Sequence, residues 1–60
     1  GYKSTTIGDY SFAHGNNVIA SGSYQVVFGV NNSHGDDNSL LIVGNGASNA
    51  NRADAFKVTL

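Results

Sequence analysis

Glycine recurs at every seventh position through the first half of this chain, at Gly1, Gly8, Gly15, Gly22 and Gly29. A strict period marks a repeated structural unit, and recognising it comes before any element-by-element reading. A second similarity lies at twice that spacing. The segment from Gly8 to Gly15 aligns with that from Gly22 to Gly29, so that Tyr10 meets Tyr24, and Asn17 meets Asn31 beyond the second glycine. The full cycle is therefore fourteen residues long.

A coiled coil also has a heptad, but its seam needs large apolar side chains, and glycine inside a helix costs about 1 kcal/mol relative to alanine. Helix is excluded. Between the glycines stand residues that suit strands: Tyr10-Ser11-Phe12-Ala13, Asn17-Val18-Ile19-Ala20 and Tyr24-Gln25-Val26-Val27-Phe28. Each reads as a short strand closed by glycine at a tight corner, where positive φ carries no steric penalty. Two such units make one turn of a parallel β-roll, with residues fourteen apart stacked at the strand spacing of about 4.8 Å. On this reading Tyr10 stacks on Tyr24, and Gly8, Gly15, Gly22 and Gly29 are structural turns. Gly35 is off the period and is expected to tolerate change better. A third turn begins near Asp36, where Ser39, Leu40, Leu41 and Ile42 fall in the columns of Ser11, Phe12, Ala13 and His14. Its glycine, Gly44, arrives one residue late, as in a terminal capping turn.

Side chains alternate along a strand, so positions 12/26/40 and 13/27/41 form two apolar columns on opposite faces. The smaller set, Ala13, Val27 and Leu41, is expected inside the roll, and Phe12, Val26 and Leu40 against a neighbouring subunit. Phe28 and Ile42 complete the candidate core.

Sixty residues make one small domain, which buries only about 60% of its unfolded surface. There is no cysteine, and charged residues are 12% of the chain against a typical ~25%. With neither disulfide nor evident metal cluster to support it, the chain is expected to fold as a homotrimer. A net charge of −1 gives no footprint for nucleic acid or an anionic membrane. The apolar run Leu40 to Val43 is far below the ~20 residues of a membrane span. No leader pattern stands at Gly1, and the first and last residues read as those of a piece of a longer protein.

The string Gly8-Asp9-Tyr10-Ser11-Phe12-Ala13-His14-Gly15, with Asn17, Ala20 and Gly22, resembles the head repeats of trimeric autotransporter adhesins, whose pattern is roughly Gly-x-x-Ser-x-Ala-x-Gly; similar repeats occur in bacteriophage tail fibres. The match covers positions 1 to about 35 and weakens in the second copy, where Gln25 replaces serine and Val27 replaces alanine. The resemblance implies a left-handed parallel β-roll, three of which pack about one axis as a fibre head. Further on, Val43-Gly44-Asn45-Gly46-Ala47-Ser48 followed by Arg52-Ala53-Asp54-Ala55-Phe56-Lys57-Val58 is similar to a segment of phage fibre and appendage proteins, commonly upstream of a coiled coil or a self-cleaving chaperone domain. Ala47 departs from it, since threonine is usual there. Without the family, Gly44 and Gly46 read as turns, 48–51 as a polar connector, and Phe56, Val58 and Leu60 as one face of a last strand. The chain thus divides into roll repeats over 1–43 and a connector with final strand over 44–60. Arg52 and Asp54 read equally as a salt bridge across a subunit boundary or as a solvated pair worth under about 1 kcal/mol.

Chemistry is sparse. His14, in the column of Phe28 and Ile42, reads as a packed or axial side chain, and His34 as part of a surface loop. Asp36, Asp37 and Asn38 offer oxygens to calcium, but three are too few from one chain unless threefold symmetry multiplies them. Gly44 to Asn49 lacks the last glycine of a dinucleotide fingerprint. Tyr2, Tyr10 and Tyr24 read either as a strip for carbohydrate or protein ligands or, better, as stacking within the roll. No catalytic, metal or cofactor site is expected, and with four aspartates and no glutamate the chain is not read as an enzyme. The expected role is a structural segment of a trimeric phage tail or appendage fibre, located in the virion and contacting a host receptor or glycan. The alternatives are the head of a bacterial surface adhesin and a non-catalytic part of a polysaccharide-degrading tailspike.

Overall fold

In the computed structural model, which describes residues 2–35 and 38–59, the chain is all-β and compact. Six strands follow in order: β1 (Thr5–Thr6), β2 (Phe12–Asn16), β3 (Ile19–Ala20), β4 (Val26–Val30), β5 (Ser39–Asn45) and β6 (Asp54–Thr59). They form a two-stranded sheet, β1-β3, and a four-stranded sheet ordered β2-β4-β5-β6. Pairing is parallel except between β5 and β6.

Residues fourteen apart lie side by side in the first two layers, as Thr5 with Ile19 and Phe12 with Val26. In the third layer the offset becomes fifteen: Val26 meets Leu41, Val27 meets Ile42 and Gly29 meets Gly44. The expected columns of Leu40, Leu41 and Ile42 are each corrected by one residue. The extra residue is taken up before β5, and glycine returns to glycine. The interior column is accordingly Ala13, Val27 and Ile42, joined by Ala20 of β3 and by Val18 just before it. All but Ala13 are fully buried. The expected boundary at 43/44 falls inside β5, and β6 completes the same sheet.

The heptad glycines are not all corners. Gly15, Gly29 and Gly44 lie inside β2, β4 and β5. Corners instead turn on Lys3, Tyr10, Asn17, Tyr24 and Asn31, which carry φ between 42° and 62° and recur every seventh residue. What the glycines supply is closeness. A Cβ on Gly15 would sit 2.1 Å from the Gly29 carbonyl oxygen, and one on Gly8 would sit 2.2 Å from that of Gly22. Real Cβ atoms do not approach backbone so closely, so at these points the layers can come together only because neither residue has a side chain. Gly15 and Gly29 add left-handed φ of 152° and 103°.

Among the described residues no third strand pairs beneath β3; a side chain takes that place. Buried Asn32 accepts from the Ile19 amide at 2.7 Å and donates to the Ile19 carbonyl at 3.0 Å, as a backbone peptide would. Buried Gln25 plays a similar part at the other corner, accepting from Ser21 and donating to the Ser39 carbonyl.

Candidate interaction surface

The two faces of the four-stranded sheet have different neighbours. Its inner face meets Val18 and Ala20. Its outer face carries the alternate residues, whose side chains stay partly or largely exposed. One outer column runs Phe12, Val26, Leu41, Val58, and the next runs His14, Phe28, Val43, Phe56. A third holds Tyr2, Asn16, Val30 and Asn45. Phe12 packs edge-on against Phe28 with ring centroids 5.9 Å apart, and the His14 ring lies tilted beside Phe12 at 6.5 Å.

This face is large and apolar for so small a molecule: Phe12, Phe28 and Phe56 remain 51%, 43% and 56% exposed. Among the described residues, no Asp, Glu, Lys or Arg belongs to its two apolar columns. Leu41 and Phe28, expected inside, belong to the outer surface of the chain together with Val26, which was expected there, while Val27, Ile42 and Ala13 are interior. Leu40 lies at the irregularity where β5 and β6 shift register, and it is exposed.

The two kinds of corner contrast. At one, Asn17 donates to Asn31 at 2.7 Å and Asn31 donates to the Gly46 carbonyl at 3.2 Å, a chain of side-chain bonds linking successive layers. Asparagine suits this place because it tolerates left-handed φ better than most residues. At the other corner stand Tyr10 and Tyr24, whose rings stack at 5.2 Å and 11° as their spacing predicts. Both are strongly exposed despite φ of 57° and 62°, a conformation unfavourable for bulky residues. Tyr2 lies away from this stack, in the third outer column.

Arg52 and Asp54 are not ion-paired to each other within the chain. Arg52 donates through Nη1 to the carbonyls of Asn17 and Asn32, at 3.0 and 3.1 Å, and through Nη2 to Asn49. Asp54 accepts from the Ser33 amide at 2.8 Å and pairs with Lys57 at 3.3 Å. Both tie the C-terminal strand and its connector back to the asparagine corner. Sequence spacing alone had left these intrachain partners unseen.

Gly46 lies just beyond β5, buried, with its amide donating to the Val30 carbonyl. Its role is again close approach, since a Cβ would meet the Asn31 oxygen at 2.3 Å. His34 is exposed in the loop before β5. Asp36 and Asp37, the candidate calcium ligands, lie outside the described residues, as does Leu60. Among the described residues no cluster of His, Cys, Asp or Glu has metal-site geometry, and no cleft is present. The buried amides Gln25, Asn31 and Asn32 were missed as structural residues; the alignment of Asn17 with Asn31 was the available signal. Compared with protein-family models, curated proteins and solved structures, the chain matches none.

Proposed function

We propose that this chain is a structural segment of a trimeric fibre, a left-handed parallel β-roll of the kind found in bacteriophage tails and neck appendages, carried on the virion and contributing a surface to host attachment. The observation that supports it is the in-register contact of glycine on glycine from layer to layer, Gly15 on Gly29 on Gly44. Such contacts leave the layers no freedom to slide, because a one-residue slip sets a side chain against backbone. The result is a stiff element of fixed rise, suited to bearing load along its axis. Its chemistry lies in surfaces, so it serves by holding and presenting.

Light scattering tests the assembly. The reading expects three times the 6.2 kDa of one chain at micromolar concentration, with a melting temperature that rises with concentration as mass action requires. A folded monomer whose melting point ignores dilution would refute it.

A further inference from the structure

We propose that the corner of Tyr10 and Tyr24 binds neutral sugar rings, the C–H face of a pyranose lying on an open tyrosine ring while Asp9 and Ser23 take its hydroxyls; this deepens the host-attachment reading above and rests on it. Tyrosine is not what the corner itself requires. The equivalent corner is turned by Asn17 and Asn31, at φ of 55° and 42°, and there the side chains bond one layer to the next. Tyr10 and Tyr24 hold the same left-handed φ, at 57° and 62°, yet among the described residues neither side chain makes a hydrogen bond. Strain kept at an exposed place, with no structural bond in return, is characteristic of a site that contacts something else.

The arrangement suits a small ligand with one apolar face. The two rings stack at 5.2 Å and 11°, so each shields one face of the other and stiffens it. The opposite faces stay open, since Tyr10 is 81% and Tyr24 66% exposed. Rigid tyrosine surface of this kind gives contact area with little rotamer entropy left to lose. Asp9 and Ser23 stand exposed just before the two tyrosines, and the Tyr24 amide donates to the Asp9 carbonyl at 2.9 Å, which ties the two layers together at this point. Among the described residues the Asp9 and Ser23 side chains make no hydrogen bond. A carboxylate that accepts and a hydroxyl that both donates and accepts are thus available beside the rings for sugar hydroxyls. Size decides against a protein partner. The exposed parts of Tyr10 and Tyr24 amount to about 300 Å² at ~200 Å² for a whole aromatic side chain, far below the ~800 Å² that each partner gives to a stable protein interface. With no cleft among the described residues, a single sugar is held weakly, in the millimolar range. Several copies along one fibre raise that by roughly 10²–10⁴ through avidity.

Titration of methyl β-galactoside into the isotope-labelled chain, followed by amide chemical shifts, tests this, with light scattering on the same samples. A galactoside is the matching probe because its axial hydroxyl leaves one ring face a continuous run of C–H bonds. The amides of Asp9, Tyr10, Ser23 and Tyr24 are expected to shift together with a millimolar dissociation constant. Tyr10→Asn with Tyr24→Asn is expected to weaken binding at least about tenfold by removing both rings, and its own amide spectrum shows whether it is folded; if it is not, Tyr10→Asn alone replaces it with the same expectation. Tyr10→Phe keeps the ring face and is expected to stay within about twofold of the parent. Shifts absent from the corner, or binding undiminished in the folded asparagine variant, overturn the site. An asparagine variant that loses the parent's oligomeric mass makes the corner an interface between copies and overturns the site likewise. A parent that binds at the corner as a monomer supports the site and overturns the trimeric reading instead.

Discussion

Replacing Gly29 by alanine tests what the periodic glycines are for. A Cβ there would lie 2.3 Å from the Gly44 carbonyl oxygen and 3.0 Å from the Gly44 nitrogen. Ordinary contact begins near 3.4 Å, so β4 and β5 must part by 3.4 − 2.3 = 1.1 Å at this point. That opening carries ladder bonds well past the usual 2.7–3.2 Å. Losing two or three of them costs about 1 kcal/mol each, and alanine at a φ of 103° adds roughly 1–3 kcal/mol of strain. The sum, about 3–6 kcal/mol, rivals the whole stability of a sixty-residue domain at ~0.05–0.15 kcal/mol per residue. Two companions separate the causes. Gly35→Ala meets nothing within 4 Å and carries only the strain of its φ of 92°, whereas Gly8→Ala meets the Gly22 oxygen at 2.2 Å with no left-handed φ. Thermal unfolding followed by circular dichroism should rank the losses as Gly29→Ala, then Gly8→Ala, then Gly35→Ala. The first is expected to fall by at least about 12 °C, given ~4–8 °C per kcal/mol for domains of this size. Equal losses at Gly29 and Gly35 would mean that conformational freedom, not closeness of backbone, is what glycine provides.

Gln25→Leu keeps the volume but removes the acceptor for Ser21 and Gly22 and the donor to Ser39; urea unfolding should show a loss of about 2–4 kcal/mol from polar groups left unpaired in a buried place. The double change Tyr10→Asn, Tyr24→Asn relieves two left-handed tyrosines and forfeits one ring stack of about 0.5–1.5 kcal/mol. Its free energy of unfolding from urea titration should stay within about 1 kcal/mol of the parent, and a collapse would show that the stack supports the fold.

Period, strand type and the small interior column were legible in the sequence, because glycine spacing and alternation are properties of single residues. The stack of Tyr10 on Tyr24 was legible for the same reason. The function of the glycines was not. Positive φ and absence of a Cβ both call for glycine, and spacing cannot separate them; the structure shows positive φ at Gly15 and Gly29 as expected, but also at Tyr10, Asn17, Tyr24 and Asn31, where the corners turn. The third layer was misaligned because a constant offset of fourteen was applied across a loop that holds one residue more. Gly44 itself carried the right answer: its place fifteen after Gly29 is the true register. The outer face was half visible. Phe56 and Val58 alternate plainly, but their joining of the columns of Phe28 and Phe12 depends on the antiparallel return of β6, which a polar connector does not encode.

The two corners divide the work of the fold, and this bears on how such a chain presents a surface. At the asparagine corner every layer is tied to the next: Asn17 to Asn31, Asn31 to Gly46, and Arg52 across the carbonyls of Asn17 and Asn32. Those bonds are partly or wholly buried, and Asn31 is 7% exposed, so each replacement there leaves polar groups without water or partner. At the tyrosine corner the side chains point outward, with Tyr10 81% exposed, and touch little beyond each other. Substitution at the first corner is therefore limited by stability and at the second mainly by tolerance of left-handed φ. A segment of a fibre that must keep its rise while changing what it touches needs this separation. In the fibre segment proposed above the asparagine corner provides cohesion, and the corner of Tyr10 and Tyr24 is the part whose substitution stability restricts least.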